Sequence, residues 1–207
     1  GLGMNTDVFS ESGKPLINRK GELVCKSAFP SMPIYFWNDK NNKKYKSAYF
    51  EKYKNVWHHG DYAERKSNGG YIIYGRSDAT LNPGGVRLGT AEIYSIVEKF
   101  KNVKESIVIG QSWDNDIRII LFLVLNKPNT LDNLFIEKIK KNIRAEASPR
   151  HVPAKIIEVS DIPRTKNGKI VELAVKNIIE GNRIKNKETL ANPESLNQFK
   201  DIKELQY

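Results

Sequence analysis

The chain has 207 residues, of which 39% are hydrophobic and 28% charged, and its formal net charge is +10. This length and composition fit one or two globular domains, and no apolar run approaches the roughly 20 residues that a membrane-spanning helix needs. A single cysteine, Cys25, cannot form an internal disulfide or a metal-ligand set with the three scattered histidines, so we expect a reducing, cytoplasmic setting and no bound metal.

The first part of the chain, residues 1–77, reads as short strands separated by turns. Strands are predicted at Asp7–Phe9, Gly21–Ser27 and Tyr71–Tyr74, and a short helix at Ser47–Lys54. The hairpin turn before Tyr71 indicates antiparallel pairing. We therefore predict a small antiparallel β subdomain, which is too small and too rich in aromatic residues to be complete alone.

A glycine-rich stretch from Gly75 to Tyr94 follows this subdomain. It contains Arg76 and Arg87 together with Pro83 and several glycines. Glycine permits positive φ and has no Cβ, so such a stretch can pivot and can approach a ligand with its backbone. The arginines supply planar donors that suit phosphate groups. On its own, the stretch also fits a plain interdomain loop with two solvated arginines.

After this hinge, the sequence pattern changes and predicts helices and strands in alternation. Apolar residues at helical spacing predict a helix that opens near Thr90, and a strand over 117–125 is apolar at nearly every position, so both of its faces should be covered. The remaining predicted elements are a strand at 106–110, a turn at 114–116, a helix at 131–147, a strand at 154–159 and a last helix near 171–178 that Gly181 caps. The fold class is α+β: the small β subdomain, the hinge, a compact α+β domain at 78–181 with a short sheet and about three helices, and a polar extension at 182–207.

A second informative segment runs from Pro163 to Lys169. Its sequence, Pro-Arg-Thr-Lys-Asn-Gly-Lys, is that of a tight turn, and it places Lys169 at the start of the last helix. A helix N-terminus favours anions, and a lysine adds a compact charge with several donors. By itself this pattern also fits a solvated lysine in a turn.

Taken together, four segments resemble the C-terminal third of the adenylate-forming acyl-CoA synthetases. They are Gly60-Asp61, Gly75–Asp78, Gly85–Ile93 and Pro163–Lys169, in the order and spacing of that family. The chain looks most like the acetyl-CoA synthetase branch, and 81–94 and 185–196 resemble the members of the branch that use acetoacetate. The resemblance implies a two-step reaction: a carboxylate attacks ATP, supplied with Mg²⁺, to give an acyl-adenylate and pyrophosphate, and the thiol of CoA then displaces AMP.

The resemblance also implies roles for residues that face the nucleotide. Asp61 matches the acid that holds the ribose hydroxyls, and Arg76 matches the arginine near the ribose and phosphate. Arg87 matches an arginine that approaches the adenylate phosphate during thioester formation. Lys169 matches the catalytic lysine of adenylation, and Asp78 matches the hinge, where a few backbone torsions absorb a domain rotation.

Two further residues would contact CoA. Gly85 matches the glycine that lines the path of the pantetheine arm, and Arg144 falls where an arginine approaches the nucleotide phosphates of CoA. Lys140 and Lys141 lie nearby, although a solvated helix face predicts the same residues. We interpret His58 and His59, just before Gly60, as packing or loop residues.

The sequence contains no Ser/Thr/Gly-rich phosphate loop that ends in lysine. The resemblance therefore implies that residues 1–77 are the last, incomplete β subdomain of a large N-terminal adenylation domain, and that this chain alone should not adenylate an acid. Two other functions stay open, a non-catalytic module that binds nucleotide or CoA and a basic nucleic-acid binder. The charge of +10 favours the latter, but no zinc finger, RNP motif or basic heptad region accompanies it, so we expect no nucleic-acid partner.

Overall fold

Two separate β-sheets organise the chain. The computed structural model describes residues 3–184 and 187–206, and it divides the chain into one unit that ends at Asp78 and another that begins at Ala79. A four-stranded antiparallel sheet forms the first unit, and a three-stranded mixed sheet with helices forms the second. The predicted α+β class is thereby confirmed. Within the described residues, no helix is both long and apolar enough to cross a membrane.

The first unit is an antiparallel meander in strand order β1-β2-β3-β4 with one α-helix. Its elements are β1 (Thr6–Phe9), β2 (Lys20–Cys25), α1 (Lys43–Tyr49), β3 (Trp57–Arg65) and β4 (Tyr71–Arg76). Helix α1 begins earlier than the predicted Ser47. The Asp39 carboxylate explains the difference, because it accepts the backbone N–H groups of Lys44 at 2.9 Å and Tyr45 at 2.8 Å and so satisfies the first helical turn.

Aromatic side chains and buried acids share the interior of this unit. Tyr49 stacks on Trp57 with ring centroids 3.7 Å apart. Asp7 is buried on β1, where its carboxylate contacts Lys26 at 2.8 Å and Arg65 at 3.1 Å. Burial works to raise the pKa of Asp7, but the hydrogen bonds from Lys26, the Val8 amide and Arg65 outweigh it and hold that pKa below its ordinary value.

The second unit is built on a hairpin with a parallel third strand. Its elements are α2 (Thr90–Val97), β5 (Val103–Trp113), β6 (Asp116–Leu125), α3 (Asn133–Glu146), β7 (Lys155–Glu158) and α4 (Glu172–Ile179). Strands β5 and β6 pair antiparallel, and β7 pairs parallel to β6. Asp114 and Asn115 form the hairpin turn with φ values of 47° and 59°, a conformation that short polar residues tolerate.

The central strand β6 is covered on both faces, as its unbroken apolar sequence predicts. Ile119, Leu121 and Leu123 pack into one core with residues of α2 and α3. Ile120 and Phe122 point into a second core, which α4 and the later part of the chain cover. A fully apolar strand is the expected sequence of such a two-sided position.

The ends of the helices explain where each element begins and stops. The Gly89 amide donates to the Glu92 carboxylate at 3.0 Å at the start of α2. Helix α4 ends at Ile179, and the predicted capping residue Gly181 follows with φ of 70°, while the Asn182 amide reaches back to the Asn177 carbonyl at 2.7 Å. Helix α4 begins only at Glu172, so the expectation that Lys169 opens it is wrong.

Residues 182–207, which the sequence predicts to be a polar extension, pack on the rest of the second unit where they are described. Leu190, Leu196, Phe199 and Leu205 are buried, and the Phe199 ring meets the Phe122 ring edge-on with centroids 5.0 Å apart. Short 3₁₀ turns at Pro193–Phe199 and Lys203–Leu205 carry Leu196, Phe199 and Leu205, and Leu190 lies in an isolated bridge with Thr165. Their irregular spacing matches neither helix nor strand periodicity, which is why the sequence pattern did not indicate them.

Candidate functional site

Asp61 and Arg76 are direct neighbours in the first sheet. They are cross-strand partners on β3 and β4, and an Asp61 carboxylate oxygen lies 3.6 Å from a terminal nitrogen of the Arg76 guanidinium. The Arg76 side chain is 52% exposed and that of Asp61 is 23% exposed. The pair therefore presents a carboxylate acceptor and a planar set of donors side by side at the surface.

Gly60 allows the Arg76 side chain to lie in this position. A Cβ on Gly60 would lie 2.9 Å from Nη2 of Arg76, and the residue has φ of 85°. Any side chain here would be strained and would push the guanidinium away. Arg76 also donates to the His59 carbonyl at 3.5 Å, and His59 Nε2 lies 3.4 Å from the Asp61 carboxylate.

Arg76 contacts a second carboxylate, that of Asp78. Its Nη2 donates to Asp78 at 3.4 Å, and its Nε lies 3.4 Å from the other carboxylate oxygen. Asp78 is the last residue of the first unit. The structure thus brings together Asp61, Arg76 and Asp78, three of the residues that the sequence singles out.

A buried network beneath this cluster was missed by the sequence reading. Glu22 on β2 is 1% exposed, and its carboxylate contacts Lys52 at 2.8 Å and His58 Nε2 at 2.9 Å. It also accepts a hydrogen bond from the Ser77 hydroxyl. His58 and His59 thus lie on strand β3 and not in a loop, and His58 packs against this buried carboxylate. The signal in the sequence was an acid directly before the apolar run Leu23–Cys25 of β2.

In the second unit, Gly85 lies at the tip of a tight loop. Leu81 and Leu88 close this loop with mutual backbone hydrogen bonds of 2.9 and 2.8 Å. The Gly84 amide donates to both oxygens of the Asp116 carboxylate at 2.9 Å, which fixes the tip to the start of β6. Gly85 has φ of 73°, and none of the described residues has an atom within 4 Å of a Cβ placed on it. Space is therefore open at this glycine.

Arg87 leaves the same loop, and a neighbouring hydroxyl orients it. Its Nε donates to Oγ1 of Thr80 at 3.0 Å, and the side chain is half-buried. This contact uses one edge of the guanidinium. A planar guanidinium is a group whose geometry suits phosphate.

Lys169 is exposed on a turn that its own backbone bonds close. Arg164 and Ile170 form an antiparallel bridge at the base, and the Thr165 amide donates to the Lys169 carbonyl at 2.9 Å. The Lys169 amide donates to Oγ1 of Thr165 at 3.1 Å, and Gly168 takes φ of 78°. The turn carries the lysine into solvent ahead of α4.

Arg144 is exposed in the last turn of α3, and Lys141, three residues earlier, is exposed as well. Lys140 pairs with Glu137 at 3.1 Å. This geometry suits a phosphate-contacting face and a solvated helix face equally.

Over the residues that the structure describes, no group of three or more His, Cys, Asp or Glu side chains is placed to hold a metal ion.

Comparisons with known proteins show what this chain is similar to. Residues 92–169 match the family model of the AMP-binding enzyme C-terminal domain. Acetoacetyl-coenzyme A synthetase of Rhizobium meliloti (strain 1021) is 57% identical over 205 residues, which are 99% of this chain and 32% of that protein. Acetoacetyl-CoA synthetase of Gallus gallus is 44% identical over 207 residues, which are 99% of this chain and 31% of that protein.

Solved structures give the same result. The acetoacetyl-CoA synthetase from Streptomyces lividans superposes with a TM-score of 0.92 at 40% identity, over all of this chain and 32% of that one. A benzoate CoA ligase from Burkholderia xenovorans LB400 gives a TM-score of 0.72 at 25% identity, over 84% of this chain and 34% of that one.

The chain is therefore homologous to enzymes of the adenylate-forming superfamily, and residues 92–169 match the AMP-binding enzyme C-terminal domain. Within that superfamily it is homologous to the C-terminal portion of acetoacetyl-CoA synthetases, and it spans about a third of the length of the curated relatives it matches. The resemblance seen in the sequence is confirmed. Lys185 and Asn186, which open its last segment, lie outside the described residues.

Proposed function

We propose that this chain is the C-terminal part of a cytoplasmic, ATP-dependent acid–CoA ligase. The ligase would convert acetoacetate, ATP and CoA to acetoacetyl-CoA, AMP and diphosphate through an acyl-adenylate. The observation that carries this proposal is the 57% identity, over nearly the whole chain, to a curated acetoacetyl-coenzyme A synthetase. The missing partner of this chain is then the N-terminal adenylation domain, and Mg²⁺ enters with ATP as part of the substrate.

In this proposal the first unit contacts the nucleotide. The Asp61 carboxylate accepts the two ribose hydroxyls, because an ionised carboxylate has acceptor sites for both. Arg76 lies 3.6 Å from Asp61 and has half of its side chain exposed, so its remaining donors can reach the ribose and phosphate. The close approach of Arg76 to Gly60 supports this role, since it holds the guanidinium beside the carboxylate.

Lys169 serves the adenylation step. A compact ammonium stabilises negative charge that spreads over the substrate carboxylate, the α-phosphate and the leaving diphosphate. Its exposed position on a turn suits a group that is delivered to the reaction and then withdrawn. The division of the chain directly after Asp78 supports the hinge role of that residue.

The second step uses Arg87 and the CoA-facing residues. Arg87 approaches the adenylate phosphate when the thioester forms, and Gly85 leaves room for the pantetheine arm. The open space around Gly85 supports this assignment. Arg144 contacts the nucleotide phosphates of CoA from the exposed end of α3.

Acetoacetate-dependent exchange of pyrophosphate into ATP tests the proposal. The intact ligase should catalyse the exchange with acetoacetate far better than with acetate or benzoate, and should form acetoacetyl-CoA when CoA is added. This chain alone should give no exchange. Exchange by the chain alone, or an intact ligase that ignores acetoacetate, would contradict the proposal.

A further inference from the structure

The segment that follows α4 reaches back to the loop that precedes Lys169. The Asn192 side-chain amide donates to the Asp161 carboxylate at 2.6 Å and to the Ile162 carbonyl at 2.9 Å. The carbonyl oxygen of the same side chain accepts the Arg164 amide at 2.9 Å. One asparagine therefore joins three positions of the loop, Asp161, Ile162 and Arg164, through both ends of its amide group.

Backbone pairing continues this contact up to the lysine turn. The Ala191 amide donates to the Arg164 carbonyl at 2.8 Å, and the Lys166 amide donates to the Thr189 carbonyl at 3.0 Å. Thr165 and Leu190 form an antiparallel bridge between these two bonds. The strand-like arm of the lysine turn is thus flanked by residues 189–192 on the side opposite Ile170.

A second amide side chain holds the beginning of the same loop. Gln198 donates to the Asp161 carbonyl at 2.6 Å, and its side-chain oxygen accepts the amide and the hydroxyl of Ser160 at 2.8 and 3.0 Å. The adjacent Phe199 and the nearby Leu196 are buried in the core of the unit. The amide groups are therefore attached to an anchored segment, which is what a brace requires.

We propose that Asn192 is a positioning residue for Lys169. By fixing residues 161–166, it holds the turn in the shape that presents the lysine to the reacting groups. The family model matches residues 92–169, and Asn192 lies outside this range. The contact to the lysine turn therefore comes from outside the matched domain. The inference rests on the proposed role of Lys169 in adenylation, and it predicts that only one of the two reaction steps depends on Asn192. Loss of Asn192 impairs the step that uses Lys169 and spares the other.

The test compares two half-reactions in the intact ligase. Asn192→Ala should lower acetoacetate-dependent pyrophosphate exchange by roughly tenfold or more. This loss is expected because the loop loses hydrogen bonds to a charged partner and buried groups are left unpaired. Thioester formation from supplied acetoacetyl-adenylate and CoA should remain at the wild-type rate. Asn197→Ala is the matched control, because Asn197 lies in the same segment, is exposed and contacts Lys200 at 3.2 Å. Both half-reactions should be unchanged in this control.

A swap variant keeps the inference testable if Asn192→Ala folds poorly. Asn192→Asp places two carboxylates together and should impair adenylation, whereas adding Asp161→Asn restores a donor–acceptor pair and should recover part of the rate. Hydrogen exchange of the amides in 161–169 should quicken in Asn192→Ala and not in Asn197→Ala. Equal loss of both half-reactions, no recovery in the double variant, or an equal effect of the control would overturn the inference.

These outcomes separate this inference from the proposed function. If Lys169→Ala leaves adenylation intact, the role of the lysine fails, and the exchange of the amides in 161–169 still reports whether Asn192 braces the turn. If Lys169→Ala abolishes adenylation while Asn192→Ala does not affect it, the role of Lys169 stands and the positioning role of Asn192 is refuted.

Discussion

The Ser77 hydroxyl donates a hydrogen bond to the carboxylate of Glu22, a fully buried acid on β2. Ser77 stands between Arg76, which contacts Asp61, and Asp78, the last residue of the first unit. The contact therefore fixes the chain to the core of the first unit directly before the proposed pivot. Torsions that change in a domain rotation would then lie after Ser77.

Ser77→Ala should lower the free energy of unfolding by about 1.5–3 kcal/mol, because the buried Glu22 carboxylate loses a donor. Ser47→Ala is the matched control, since Ser47 donates to Glu51 at 2.6 Å on an exposed face. Its cost should stay below about 0.5 kcal/mol. Urea denaturation of both variants measures the difference. Equal losses in the free energy of unfolding would show that the buried Ser77 contact stabilises the fold no more than the exposed Ser47 contact.

Gly60→Ala should raise the KM for ATP in the intact ligase. The new Cβ would lie 2.9 Å from Arg76 Nη2 and would displace the guanidinium from Asp61. Gly69→Ala separates this effect from backbone strain, because Gly69 has the same φ of 85° and no atom of the described residues within 4 Å of its Cβ. Both variants should lose about 1–2 kcal/mol of stability through strain. A similar rise in the KM for ATP in both would argue against a role for the Arg76 position.

Lys169→Ala in the intact ligase should abolish pyrophosphate exchange and leave thioester formation from supplied acyl-adenylate near the wild-type rate. The physical reason is that the ammonium stabilises charge that develops only while the adenylate forms. Lys166→Ala, three residues earlier in the same exposed turn, should leave both steps unchanged. Parallel loss of both steps in Lys169→Ala would contradict the proposal that the lysine serves adenylation and not thioester formation.

The stability of the first unit should depend on pH through Asp7. Its pKa is lowered in the folded state by Lys26, the Val8 amide and Arg65, against the opposing effect of burial. A depressed carboxyl pKa contributes stability above the unfolded-state pKa, near 3.8, and this contribution is lost as the pH falls through the folded-state pKa. Acidification below about pH 4 should therefore destabilise the unit.

Asp7→Asn checks this pH dependence. The variant should lose about 2 kcal/mol at pH 7, less than a fully buried pair would lose, because the Lys26 side chain is 37% exposed. Its stability should also fall less steeply on acidification than that of the wild type. Urea denaturation monitored by circular dichroism over a series of pH values gives both quantities. Parallel curves for the two proteins would rule out Asp7 as the group responsible.

Elements with a strong local signal were predictable from the sequence. The unbroken apolar run of β6 indicated a strand covered on both faces, and Gly181 indicated the end of α4. The start of α1 was not predictable, because Asp39 caps it from outside the periodic region. The burial of Phe199 was hidden for a similar reason: its partners, such as Phe122, are distant in sequence.

For the candidate site, the sequence identified residue types and their order but not their contacts. The pairing of Asp61 with Arg76 depends on the register of β3 and β4, which includes an irregularity that no local pattern reveals. The roles of Glu22 and Asn192 arise from tertiary contacts across 55 and 31 residues, respectively. Long-range polar partners of this kind leave no periodic trace in a single sequence.

The pairing of residues 189–192 with the lysine turn also sets an order of events during synthesis. The turn at 164–170 leaves the ribosome before α4, and its partner segment leaves after α4. A chain interrupted before Leu190 would contain every residue of the matched domain, 92–169, and would lack the segment that pairs with the lysine turn. A late stop codon would thus leave Lys169 in the chain but remove the segment that pairs with its turn.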